Sequence, residues 1–158
     1  MKGNIIESTT GVVWVKHEWL CEEFKGHLPE DVFFAIPNRE GYICMSKSKL
    51  DGIKARHSNY SQKMSLLNKT TELNNQGRDQ EKAGNIIGAI DTYEKCIALG
   101  YDAYFAYDRL MILYRKIKDY ENEERIATKA LSMFNGTSLY DKYKQRLEKV
   151  KALKNKAK

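Results

Sequence analysis

The chain has 158 residues, of which 42% are hydrophobic, 30% charged and 11% aromatic, with ten glycines but only two prolines. That balance excludes a disordered or low-complexity polymer and fits one globular domain or two very small ones. The formal charge of +6 is localised: residues 1–57 carry eight basic and eight acidic side chains, residues 58–137 eleven of each, and residues 138–158 eight basic against two acidic.

No long apolar core with a small-residue cleavage site follows Met1, so a secretion signal is not expected. No stretch approaches the length of an apolar membrane span, so no membrane partner is expected. Cys21, Cys44 and Cys96 lie far apart without a CxxC pair, which fits a reducing, cytoplasmic setting. Thr10 to Val15 is β-branched and aromatic and predicts a strand. Trp19, Leu20 and Phe24 suit a short helix ended by Gly26. Two short apolar runs, Val32 to Ile36 and Tyr42 to Met45, flank a loop holding Pro37, Asn38 and Gly41, and predict a β-hairpin. Residues 1–57 therefore read as a small α/β unit of about three strands, serving as a cap or a contact unit.

From about Ser58 the helical period takes over, and residues 58–158 read as a helical domain. Ile86, Ile87, Ala89, Ile90, Tyr93, Cys96 and Ile97 recur at three- and four-residue steps, with Asn85 as N-cap and Gly100 beyond the end. Asp102 is placed to cap a helix with the stripe Tyr107, Leu110, Leu113 or Tyr114, and Ile117. Asp119 is placed to cap another through Tyr120, Ile126 or Ala127, Ala130, Leu131 and Phe134, closed by Gly136. Thr137 or Ser138 opens a last, basic helix along Leu139, Tyr143, Leu147, Val150 and Leu153. The short connections require neighbouring helices to run antiparallel.

Sliding the chain by 34 residues lays Gly84-Asn85-Ile86 over Lys118-Asp119-Tyr120, Leu73 over Tyr107 and Cys96 over Ala130. Thirty-four residues in helix-turn-helix form is the period of the tetratricopeptide repeat. The first unit resembles that family at Gly77, Ala89, Tyr93 and Cys96, and the second at Tyr107, Leu110, Tyr114, Asp119, Tyr120 and Ala130. Gln76 and Gln80 stand where large apolar residues are usual, and Met111 and Glu123 where small ones are. The expected fold is mainly α: two tetratricopeptide-like helical hairpins plus a capping helix, preceded by a small α/β unit with a β-hairpin.

The resemblance implies a non-enzymatic protein- or peptide-binding adaptor that uses its concave face. By register that face carries Thr71, Asn74, Arg78, Glu81 and Lys82 from the first unit and Phe105, Asp108, Ile112, Arg115 and Lys116 from the second. Lys142, Arg146 and Lys149 extend it as a basic surface. Arg and Lys make charge-assisted hydrogen bonds to carboxylates, so an acidic or carboxylate-bearing segment is the expected partner.

Two other chemistries compete. The basic last helix is a nucleic-acid footprint in composition, but equally a solubilising end of a repeat array, which is the favoured role. His17-Glu18-Trp19-Leu20-Cys21 places a histidine and a thiol on one helical face, as two metal ligands or a base and nucleophile would be. The preferred reading is a structural His beside a Cys acting as a small hydrophobe, with no metal or cofactor. Phosphate-binding and hydrolase signatures are absent from the sequence.

Overall fold

The computed structural model describes residues 3–156. The chain divides into two units, Met1–Met64 and Ser65–Lys158.

In the first unit, β1 (Ile5–Glu7), β2 (Val12–Lys16) and β3 (Tyr42–Ser46) form an antiparallel sheet in that order. Strand alternation sorts the side chains: Val13, Val15, Ile43 and Met45 are buried, while Trp14 and its cross-strand neighbours Ile6 and Cys44 are exposed. Helix α1 (His17–Glu23) contributes Leu20, with Phe24 just beyond its end, and Gly26 follows in the left-handed conformation that stops it (φ 78°). Val32, Leu50 and Ile53 complete this core.

The expected pairing of Val32–Ile36 with Tyr42–Met45 does not form. The hairpin of this unit is β1–β2, turned at Gly11, and β3 pairs with β2 instead. Residues Glu30–Phe33 make a single helical turn, α2, with two acids at its positive end. An unbroken apolar run carries no period to distinguish strand from helix; of this one only Val32 is buried, with Ala35 packed against the core in part.

Helix α3 (Lys47–Lys82) begins well before Ser58. Ser46 Oγ accepts the Lys49 amide at 3.2 Å, an N-cap, and Leu50 and Ile53 then face the core of the first unit. The division between the units falls within this helix.

The second unit comprises the end of α3, α4 (Ile86–Ala98), α5 (Tyr104–Lys116), α6 (Tyr120–Met133) and α7 (Tyr140–Lys156). The chain is thus mainly helical, with two successive helical hairpins and a closing helix after the small sheet. One core runs through the second unit from Ala89 to Tyr143, with Leu73 and Leu147 packed against it. Gly77 is required for close packing, because a Cβ there would lie 2.5 Å from the ring of Tyr93. Asp102 does not cap α5, which starts from Ala103 without a side-chain cap. Thr137 Oγ1 accepts the Leu139 amide at 3.2 Å ahead of α7.

The 34-residue repeat is present in the backbone. Asn85 caps α4 by accepting the Gly88 amide, and Asp119 caps α6 by accepting the Asn122 amide, each at 3.0 Å. Asn85 N–H donates to Gln80 O and Asp119 N–H to Tyr114 O, both at 2.9 Å. Gly84 has φ 76° and its counterpart Lys118 has φ 60°, the one non-glycine residue with positive φ among the described residues. A side chain in that region is strained by about 1 kcal/mol. Lys118→Gly is therefore expected to stabilise the protein by about 1 kcal/mol in urea unfolding; a neutral or destabilising result would contradict the strain.

Candidate functional site

Three carboxylates tie the helices of the second unit together, each spanning three successive helices. Glu81, near the end of α3, accepts from Tyr93 Oη of α4 at 2.8 Å and from Arg109 Nε of α5 at 2.9 Å, with Arg109 Nη2 on its other oxygen. Glu94 of α4 accepts from Tyr114 Oη of α5 at 2.7 Å and pairs with Arg125 of α6. Glu123 of α6, fully buried, accepts from Arg115 Nε of α5 at 3.0 Å and Arg146 Nε of α7 at 3.1 Å. Arg115 Nη2 lies 2.6 Å from Glu123 Oε1 but without hydrogen-bond geometry, an ion-pair contact.

The environment of Glu81 sets its titration. Burial pushes its carboxyl up, but the hydrogen bonds from Arg109 and Tyr93 and the charge of Arg109 outweigh this and hold it below the usual range. Burial, reinforced by Glu81, raises the Tyr93 phenol, and the carboxylate raises Arg109 further.

Beside this clamp, Arg78, Glu81 and Lys82 of α3 and Phe105 and Arg109 of α5 line an open recess of about 400 Å³. The Arg78 guanidinium lies over the Phe105 ring at 6.0 Å. Four of the sequence-selected groove residues, Arg78, Glu81, Lys82 and Phe105, thus meet in one place.

The others are distributed differently. Asn74 Oδ1 accepts the Cys96 thiol at 3.4 Å, and Thr71 Oγ1 bonds back to Leu67 O. Asp108 is paired with Lys142 at 2.6 Å, and that ammonium also lies over the rings of Tyr104 and Tyr143. Arg115 and Arg146 are committed to Glu123. Ile112 is exposed, as are Lys116 and Lys149, which carry no ion pair among the described residues. The acids at this face, Glu81, Asp108 and Glu123, are all paired internally, whereas Arg78, Lys116 and Lys149 are not.

Arg109 is the recess residue that register alone does not select. The signal for the clamps was Glu123 itself, a long acid at a position where a small residue is usual. On α7, Lys142, Arg146 and Lys154 are drawn into internal pairs, Lys154 with Glu121 and Glu124.

The His17 and Cys21 pair has a structural arrangement. His17 Nε2 lies 3.1 Å from Val32 O and 3.0 Å from Phe33 O, acceptors only, so it carries the proton and donates. Cys21 Sγ is 3.6 Å from the same nitrogen, and partial burial raises its thiol, which disfavours the thiolate. No group of three His, Cys, Asp or Glu side chains is placed to hold a metal ion among the described residues. Cys21, Cys44 and Cys96 are all free thiols. Among the same residues no helix is long and apolar enough to cross a membrane.

Compared with known proteins, the chain matches no family model, no curated protein and no solved structure.

The depressed Glu81 carboxyl gives a signed expectation. A folded-state pKa below the unfolded value of about 4.5 contributes stability above that pH and loses it as pH falls through the folded value. The stability difference between the wild type and Glu81→Gln should be constant above about pH 5.5 and shrink below pH 4.5. A difference independent of pH in urea titrations from pH 7 to 3 would refute it. Glu123→Ala leaves two arginines without their buried partner and is expected to cost about 3 kcal/mol, measured by the same unfolding assay.

Proposed function

We propose that this chain is a non-enzymatic, cytoplasmic adaptor of the tetratricopeptide type, whose helical unit holds an acidic or carboxylate-bearing segment of a partner protein. The observation that carries the reading is the recess between α3 and α5, where uncommitted Arg78 stands on Phe105 with Lys82 at its rim. The backbone turns repeated at 34 residues support the repeat assignment. An arginine over an aromatic ring offers a directed donor for a carboxylate beside an apolar surface for its neighbour. Lys116 and Lys149 extend the positive field, and exposed Ile112 supplies a further apolar contact.

A nucleic-acid role for α7 gains no comparable support, since Lys142, Arg146 and Lys154 already neutralise acids of this chain. Phosphate binding would require those ion pairs to be exchanged.

The test is a random peptide library selected on the full chain, followed by fluorescence anisotropy of the enriched peptides. Enrichment of Asp or Glu beside an apolar residue is expected, with affinity at least tenfold weaker in Arg78→Glu/Lys82→Glu/Lys116→Glu at unchanged melting temperature. Arg115 is excluded from that variant because reversing it would place a second carboxylate against buried Glu123. Enrichment of neutral or basic peptides, or undiminished binding to the variant, would rule the groove out.

A further inference from the structure

The even charge balance of residues 1–57 conceals a polarised segment. Residues 17–36 hold five acids, Glu18, Glu22, Glu23, Glu30 and Asp31, against one lysine, Lys25. Asp31 is paired with Lys49. Among the described residues Glu18, Glu22, Glu23 and Glu30 carry no ion pair, and all four are exposed.

The same segment ends in apolar side chains that the unit does not bury. Phe33 is 50% exposed, Phe34 70% and Ile36 93%. Solitary surface hydrophobes need no explanation, but three within four residues form a patch. Phe33 and Phe34 pack edge to face, ring centroids 5.0 Å apart, and Val32 anchors the turn from beneath. His17 Nε2 donates to the carbonyls of Val32 and Phe33, and Pro37 follows with its fixed φ. The aromatic ridge is therefore held in place rather than left on a loose loop, and a prearranged surface binds at lower entropic cost. On α1, His17 donates to the ridge backbone and Cys21 lies against His17, and Glu18 and Glu22 follow them on the same short helix, about 100° further round it.

We propose that the Phe33–Phe34–Ile36 ridge, with Glu18, Glu22 and Glu30 around it, is a docking surface for a basic amphipathic segment of a partner protein. The apolar face of such a segment would cover the two phenylalanines, and its lysines or arginines would meet the unpaired acids. The acids favour this occupant over an anionic membrane surface, which they repel, and over an acidic peptide of the kind the recess between α3 and α5 attracts. This gives His17 a positioning role.

Two fluorescein-labelled peptides separate this surface from the recess: an amphipathic peptide of leucine and lysine, and its leucine and glutamate counterpart. The full chain is expected to bind the lysine peptide, with amide shifts in heteronuclear NMR confined to residues 17–37. Phe33→Ser/Phe34→Ser should weaken that binding at least tenfold. Glu18→Gln/Glu22→Gln/Glu30→Gln should weaken it and flatten its dependence on salt. Neither variant should alter binding of the glutamate peptide or lower the melting temperature. The proposal is overturned if the lysine peptide fails to bind, or binds the phenylalanine variant as well as the wild type. It is equally overturned if the phenylalanines instead mediate a dimer in sedimentation velocity or retention on neutral phosphatidylcholine vesicles.

Discussion

The second unit depends on one buried charge. Glu123 sits with no exposure in a helix whose other inward residues are Ile126, Ala127 and Ala130. A carboxylate in that position is unfavourable unless its oxygens are satisfied, and Arg115 and Arg146 satisfy them from the two neighbouring helices. The arrangement fixes α5, α6 and α7 relative to one another in a way that apolar contacts alone do not, since those tolerate sliding and substitution. Glu94 and Glu81 do the same one and two helices earlier, in half-buried settings where each also takes a tyrosine hydroxyl. Directed, charge-assisted bonds across three helices at a time supply geometric definition that apolar packing alone does not.

The same clamps decide what the concave face has left to offer. Sequence register places ten side chains there as though each were available. Once the ion pairs are drawn, Asp108 belongs to Lys142, Arg115 to Glu123 and Glu81 to Arg109. The charged and apolar side chains left free contract to Arg78, Lys82, Phe105, Ile112 and Lys116, with Lys149 unpaired on α7. Lys82 is itself only loosely engaged, 3.3 Å from Asp79 on the same helix with both side chains over 70% exposed, a pairing worth little in water. The net +6, concentrated by sequence in the last helix, is likewise partly spent within the fold. What remains for a partner is set by pairing rather than by composition.

Legibility from sequence followed the reach of the forces involved. The caps at Asn85 and Asp119, the left-handed glycines at 26, 100 and 136, and the stripes of α4 and α6 are local, and the sequence showed them. The start of α3 was missed because its cap, Ser46, is itself the last residue of a strand and its first buried residues, Leu50 and Ile53, are only two. The hairpin was misassigned because Val32 to Ile36 is apolar throughout, and the partner of a strand is chosen by register and not by hydrophobicity. The clamps join residues 8 to 31 positions apart with no fixed spacing. Arg109 accordingly stayed hidden, and Glu123 showed only as an acid in a small residue's place.

The misassigned run is where the first unit becomes informative. Had Val32 to Ile36 paired as a strand, alternation would have buried one set of its side chains and exposed the other. As a single helical turn it needs only Val32, and Phe33, Phe34 and Ile36 face water without contributing to the core. Exposed aromatics bring aggregation risk and no folding benefit, and the surrounding unpaired acids oppose indiscriminate association while leaving basic segments admissible. The histidine that looked like half of a metal site fixes the backbone beneath those rings. A buried valine and a backbone pinned by His17 thus hold two phenylalanines outward, on a segment whose neighbouring acids are unpaired.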